Sequence, residues 1–198
     1  QSEVRLATIG SSAEQVFHGD SVYTFAHLNG TAEFSSDNQY IIYSNDESVL
    51  FSRDIYSVET NTVSNKVKIN SSTVGVDSYI VTATNEIYFI RGGAIYKGQA
   101  GVAGDTQIST LSISPAATPF IVGIDASSQR LLVKGALETA GITDLYSIVI
   151  ATGEVTKLGP DLPTAGDVSL TTSFADDKVV YTMDHLVDQF FELFVIAF

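Results

Sequence analysis

The chain has 198 residues, 44% hydrophobic and 17% charged, with 10 Lys and Arg against 23 Asp and Glu. That length suits one domain or a small pair, with a core large enough to need no disulfide or metal staple. Cysteine is absent, which excludes disulfide scaffolds, thiol catalysis and Cys-based zinc sites, and a net charge of −13 argues against nucleic acid or an anionic membrane surface as partner.

From the start, Gln1–Val4 shows neither a basic n-region nor an apolar h-region, so an export signal is either already removed or never existed. Val4–Gly10 resembles an isolated strand. A long polar segment, 10–30, follows, in which Gln15–Phe25 reads as an inserted hairpin turning at Gly19-Asp20; alternatively it supplies the innermost strand of the first repeat. Beyond it, short runs of Val, Ile, Tyr, Phe and Thr alternate with Gly, Asn, Asp and Ser clusters, the signature of strands and turns. No stretch of a dozen residues holds apolar positions at helical spacing, and the best attempt, Ala136–Gly141, is short and ends in Gly. The class is all-β.

Four similar strands, Tyr40–Tyr43, Glu86–Ile90, Arg130–Val133 and Lys178–Tyr181, are anchored on Tyr43, Phe89, Val133 and Tyr181 at spacings of 46, 44 and 48 residues. A second kind follows each: Asp54–Val58, Ala94–Lys97, Asp144–Ile148 and Glu192–Ile196. Anchor-to-anchor offsets to Tyr56, Tyr96, Tyr146 and Phe194 are 13, 7, 13 and 13, the short one reflecting a tight Arg91-Gly92-Gly93 hairpin. A strand ending in a polar turn precedes the pair at Glu33–Asn38, Ile124–Ser128 and Thr172–Asp177. A fourth strand follows three of the pairs, at Val63–Ile69, Thr106–Leu111 and Glu154–Leu158. Four antiparallel strands recurring about every 45 residues make a propeller blade; an ordinary sandwich with accidental similarity is the alternative.

The expected architecture is therefore a single β-propeller domain over 1–198, with repeats at approximately 31–70, 76–111, 119–159 and 167–198. Val4–Ile9 is expected to complete the last blade, giving four blades closed by the N-terminal strand and removing open edges. A piece of a larger propeller is the competing reading. The closing Phe190–Phe198 stretch is the most apolar, carries Glu192, and reads as a buried strand. No window offers the roughly 20 apolar residues of a membrane helix.

Phe34–Asp46 followed by Asp54–Val58 resembles the repeat of TolB-type propellers, whose pattern runs Phe-Ser-Pro-Asp-Gly, an apolar strand, a Leu-Tyr-Val strand and a Thr-Gly turn. Ser36 stands where Pro is usual and Asn38 where Gly is usual. Asp144–Tyr146 through Thr152-Gly153 to Leu158 matches the second half best. Such repeats occur in periplasmic binding proteins and in the propeller domains of prolyl-oligopeptidase-like enzymes. The resemblance thus implies a scaffold and no particular activity. A periplasmic or extracellular location also fits an acidic, Ser/Thr-rich, Cys-free composition.

Chemistry is sparsely signalled. There is no Gly-x-Ser-x-Gly elbow, and Gly98–Gly104 lacks the Lys-Ser/Thr of a phosphate cradle and reads as a loop between strands three and four. Asp184-His185 with Asp188 puts two carboxylates and an imidazole in one loop, yet no His-x-His, His-Glu-x-x-His or Asp-x-Asp-x-Asp-Gly spacing supports a metal site. Asp37, Asp125, Asp176 and Asp177 read as turn residues.

Loops joining strands two to three, and those joining blades, emerge on one propeller face; here they are Ser44–Arg53, Gly135–Thr143, Thr182–Gln189 and the long 10–30 segment. The candidate binding residues on that face are Asp46, Glu47, Arg53, Asp184, His185 and Asp188, joined by His18, Asp20 and His27 from the insertion. Two functions follow: a non-catalytic module binding a protein or glycan, without a cofactor, or a lyase- or hydrolase-type propeller with a metal or substrate in its acidic loops. The propeller portion of a larger peptidase-like protein is a third setting for the same scaffold.

Overall fold

The structure is a computed structural model that describes residues 5–7, 14–16, 32–49, 52–62, 65–112, 119–125, 127–162, 168, 173–175, 178–184 and 191–197. Seventeen strands are assigned: β1 Arg5–Ala7, β2 Glu14–Val16, β3 Glu33–Phe34, β4 Tyr40–Val49, β5 Ser52–Glu59, β6 Lys66–Lys68, β7 Ser78–Val81, β8 Glu86–Arg91, β9 Ala94–Gln99, β10 Val102–Thr110, β11 Phe120–Ile124, β12 Arg130–Gly135, β13 Asp144–Val149, β14 Val155–Leu158, β15 Ser173–Ala175, β16 Lys178–Met183 and β17 Glu192–Ala197. Among the described residues there is no helix, so none is long and apolar enough to cross a membrane. The strands form three four-stranded sheets, β3-β4-β5-β6, β7-β8-β9-β10 and β11-β12-β13-β14, a three-stranded sheet β15-β16-β17, and a β1-β2 pair. All registers given for these sheets are antiparallel.

The repeat anchors read from the sequence are cross-strand partners: Tyr43 lies opposite Tyr56, Val133 opposite Tyr146 and Tyr181 opposite Phe194. Where both are aromatic their rings stack, at 5.6 Å for Tyr43 and Tyr56 and 5.8 Å for Tyr181 and Phe194; Phe89 and Tyr96 do the same at 5.5 Å. The turn between strands one and two also repeats. Asn38, Asn85 and Ser128 adopt left-handed φ of 58°, 63° and 56°, each donating its N–H to the carbonyl three residues earlier, on Ser35, Thr82 and Asp125. Asn tolerates this conformation better than other side-chain-bearing residues, which explains how Asn38 replaces the usual Gly.

Two compact units are distinguished: Gln1–Val76 with Val81–Gly92 and Tyr96–Thr106, and Asp77–Ile80 with Gly93–Ile95 and Gln107–Phe198. In the first, polar links join successive repeats: the Ser36 N–H donates to Asn85 Oδ1 at 2.8 Å, Asn85 Nδ2 to Asp37 Oδ2 at 2.8 Å, and the Gly101 N–H to Ser57 Oγ at 2.9 Å. Gly101 has φ +78° and packs under the Tyr40 ring, where a Cβ would lie 2.5 Å from ring atoms. In the second, Leu132, Leu145, Leu158, Leu162, Val168, Val179, Tyr181 and Met183 form one apolar core, with Phe194 and Ile196 packed against it.

Three expectations change. Gly98–Gly104 is largely strand: β9 and β10 meet at a tight turn made possible by Gly101. Within Ser44–Arg53 the described residues stay in strands β4 and β5 instead of opening into a loop, because pairing resumes at Val49 opposite Ser52 after an irregularity beyond Asn45. The apolar closing strand is partly buried on one face only: Phe194 and Ile196 pack against the core, while Leu193 and Val195 on the other face are 69% and 63% exposed. The N-terminal strand is paired with β2, and among the described residues the last sheet has three strands. The tip of the expected insertion hairpin, at Gly19-Asp20, lies outside the described residues.

Candidate functional site

The third strand of each repeat begins where the strand-two-to-three connection ends, so its first residues border the expected binding face. In β5 the alternation of side chains exposes Arg53 and buries Asp54. Asp54 is enclosed by partners: Lys68 Nζ lies 2.9 Å from Oδ2, Asn70 Nδ2 donates to Oδ1 at 2.7 Å, and the Tyr56 hydroxyl approaches Oδ2 at 3.4 Å. Asn70 in turn accepts the Ile55 N–H at 2.7 Å. Lys68 arrives from β6 because it lies directly opposite Tyr56.

The third repeat builds the same centre. Asp144 is buried, Lys157 Nζ lies 2.9 Å from its Oδ2, and the Tyr146 hydroxyl approaches that oxygen at 3.4 Å. Lys157 lies opposite Tyr146 and also meets Asp161 at 3.0 Å and Glu138 at 3.9 Å. Burial pulls this ammonium's pKa down, but hydrogen bonds to Asp144 and Asp161 outweigh it and hold the group above the usual lysine range. Burial, reinforced by the Asp144 charge, pushes the Tyr146 phenol up to about 12.

The second repeat inverts the polarity. Ala94 occupies the acid's place, and the cation comes from β8: Arg91 donates from Nη1 to Asp105 Oδ2 at 2.7 Å and lies 3.8 Å over the Tyr96 ring. An open groove of about 360 Å³ runs beside this pair, lined by Lys97, Gln99, Val102, Asp105 and Thr106. None of the candidate residues read from the sequence lines it.

Among those candidates, Arg53 is exposed at the start of β5, and Asp184 is buried just past β16. Asp46 and Glu47 lie in the irregular part of β4, placed by backbone alone. His18, Asp20, His27, His185 and Asp188 lie outside the described residues. Among the described residues no group of three or more His, Asp or Glu side chains is placed to hold a metal. The acid–aromatic–lysine centres escaped the sequence reading. Their signal was present as an acid two residues before Tyr56 and Tyr146, with a Lys-apolar pair, Lys68-Ile69 or Lys157-Leu158, on the following strand.

Antiparallel sheets repeated with these turns, stacks and ionic centres match known folds. A TolB protein from Agrobacterium tumefaciens superposes with a TM-score of 0.60 at 11% identity, over 93% of this chain and 62% of that one. The chain resembles a TolB-type propeller scaffold. The dipeptidyl peptidase 4 of Porphyromonas gingivalis gives 0.62 at 14% identity over 91% of this chain and 26% of its own. An oligogalacturonate lyase in complex with manganese gives 0.62 at 11% identity over 98% and 57%. At these identities the likeness is one of fold, and the chain spans under two thirds of each of these proteins. They are propeller proteins of varied function. No family model matches the chain, and no curated protein matches it.

Proposed function

We propose that the chain is a non-catalytic binding module: four blades closed into a ring by Val4–Ile9, presenting the face of its longer connections to a protein or glycan partner outside the cytoplasm. One observation carries the reading. Two described acids at the strand ends of that face are buried and already neutralised from within, Asp54 by Lys68 and Asp144 by Lys157, whereas Arg53, next to Asp54, is exposed. Carboxylates committed to internal lysines are poorly placed to serve as general acid, base or metal ligand. What remains for recognition is the exposed Arg53, together with the residues that the sequence assigns to the same face: Asp46 and Glu47 from the first repeat, Asp184, His185 and Asp188 from the last, of which Asp184 is buried, and His18, Asp20 and His27 from 10–30.

The test is a printed glycan array that includes oligogalacturonates, probed with the intact chain and with Arg53→Ala and His185→Ala/Asp188→Ala variants. Binding to one glycan class, lost in the variants at unchanged melting temperature, supports the reading. A protein captured by the intact chain and released by both variants supports its protein arm. Binding indifferent to both variants overturns the face assignment. Cleavage of oligogalacturonate in the presence of manganese overturns the non-catalytic reading in favour of a lyase-type propeller.

A further inference from the structure

The connection from the first to the second repeat, residues 70–76, folds back against the start of β5. The Val76 N–H donates to the Arg53 carbonyl at 2.8 Å, and the Ser52 hydroxyl donates to the Thr73 carbonyl at 2.8 Å. A Cβ on Gly75 would lie 3.0 Å from the Arg53 nitrogen, so the absence of a side chain lets the two backbones meet. Within the connection the Val74 N–H donates to Ser72 Oγ at 3.0 Å, and Asn70 Nδ2 donates to the Ser72 carbonyl at 3.3 Å. The Ser71 hydroxyl donates to Asp105 Oδ1. These bonds make 71–75 a fixed ledge beside Arg53, with Val74 55% exposed on it. The acid next to Arg53, Asp54, is sealed by Lys68, and Asp105 is held by Arg91. Arg53 itself is exposed, and its guanidinium has no hydrogen-bond or ion-pair partner among the described residues. Asp105 also lines the open groove of about 360 Å³ with Lys97, Val102 and Thr106, and Val102 is 55% exposed. Ledge and groove therefore meet at the Ser71–Asp105 bond, and all of these residues belong to the first compact unit.

We propose that this surface binds an extended acidic and apolar segment of a partner protein, with an Asp or Glu carboxylate on Arg53, an apolar side chain on Val74 and the continuing chain in the groove. This rests on the binding module proposed above and adds the chemistry of its partner. A guanidinium is a planar fork that holds a carboxylate through two parallel hydrogen bonds, and Arg53 has that capacity free. Asp54 and Asp105 already spend their charge on internal cations, so neither stands unpaired against an incoming carboxylate. The ledge is ordered before the partner arrives, which lowers the entropy cost of binding. Neither the ledge nor the groove lining has an aromatic ring on which a sugar could stack, whereas its two exposed valines suit apolar side chains; a peptide is favoured over a glycan.

The test is an array of octapeptides in which Asp or Glu adjoins Leu, Ile or Val, each printed beside its Asn or Gln counterpart and probed with the intact chain. Carboxylate peptides are expected to bind, and their amide counterparts to bind at least about tenfold more weakly. For the strongest peptide, followed by fluorescence anisotropy, Arg53→Ala is expected to weaken binding by about ten- to hundredfold at unchanged melting temperature. Arg53→Lys should recover only part of the loss, because an ammonium lacks the fork. Val74→Ser and Val102→Asp should each cost about fivefold, and Lys178→Ala, at an exposed base elsewhere, should change nothing. Equal binding of acid and amide peptides overturns the proposal, as does equal binding by Arg53→Ala and the parent chain, or an array with no bound peptide. Arg53-dependent glycan binding without any bound peptide also overturns it and leaves the binding module standing. Peptide binding through Arg53 that survives His185→Ala/Asp188→Ala supports this surface and counts against the wider face alone. Cleavage of oligogalacturonate with Arg53-dependent peptide binding intact supports this surface and counts against the non-catalytic reading alone.

Discussion

The strands β13 and β17 begin alike, Asp144-Leu145-Tyr146 against Glu192-Leu193-Phe194, yet live in different surroundings. Every residue from Asp144 to Ile148 is buried, so both faces of β13 are covered. β17 buries Phe194 and Ile196 against the core in part and leaves Leu193 and Val195 exposed on the other face, with Phe191 just ahead of it 53% exposed. The same local sequence therefore specifies a strand and its register but not its environment. Burial comes from what neighbouring strands bring, and the fourth strand is what β13 has in β14. In the first and third repeats an acid from strand three, an aromatic two residues later and a lysine from strand four meet; the second closes its four strands with Arg91 and Asp105 instead.

The largest expected effect is on that triad. Asp144→Ala leaves the Lys157 ammonium, which is largely shielded from water, without its buried partner, and should cost about 3–5 kcal/mol in a urea melt; Asp54→Ala should cost a similar amount. Glu192→Ala, at a partly exposed position, should cost less than about 1 kcal/mol. A Glu192→Ala variant as damaging as Asp144→Ala would erase the distinction between the two strands.

Next come the phenols. The Tyr146 hydroxyl has the Asp144 carboxylate, whereas the Tyr181 hydroxyl, fully buried behind Gly159, has no hydrogen-bond partner among the described residues. Removing an unsatisfied buried hydroxyl relieves its desolvation cost, so Tyr181→Phe should stabilise by up to about 1 kcal/mol. Tyr146→Phe should destabilise by about 0.5–1.5 kcal/mol. Equal signs for the two substitutions would sink the assignment.

Much of this fold was legible because hydrophobic anchors at fixed spacing are a local signal: Tyr43 and Tyr56, or Tyr181 and Phe194, are opposite one another as their repeat implied. The ionic centres were less visible. Asp54 and Lys68 are 14 positions apart, and nothing in either neighbourhood says that the two strands will place them 2.9 Å apart until the register is fixed. The strand pairing within Ser44–Arg53 was misread as a loop because Asn45–Ser48 is polar, and polarity marks exposure as readily as it marks a break in pairing. Arg53 was singled out as a charge at a strand end, and it is exposed there. The histidines were singled out by residue type, and they lie outside the described residues.

An alkaline limb separates the centres further. A phenol whose pKa is raised by folding stays protonated in the native state after the unfolded chain has begun to lose its proton. Stability from such a group is fully present below the unfolded value near 10 and is lost as pH rises through the folded one. Tyr146, pushed up to about 12, should be among the last phenols to ionise in an ultraviolet titration, and the melting temperature should fall between about pH 10 and 12. Asp144→Asn should bring the Tyr146 transition down by removing the nearby charge. A transition unmoved by that change would assign the whole shift to burial.

The smallest expected effect is that of salt, and its sign is informative. With 23 acids against 10 bases the folded chain concentrates like charge, and at 0.15 M ionic strength the screening length is about 8 Å. Screening therefore relieves repulsion between exposed carboxylates in different repeats. The pairs Asp144 with Lys157 and Arg91 with Asp105 are largely shielded from water, so salt weakens them much less. The repulsion should win, raising the melting temperature by about 2–4 °C for a gain near 1 kcal/mol in a chain of this size. If salt instead lowered it, exposed pairs such as Lys97 with Glu86 would be contributing more than the self-repulsion. Lys97→Met would then make the response more positive, while the same change under the expected regime would leave the slope nearly unaltered.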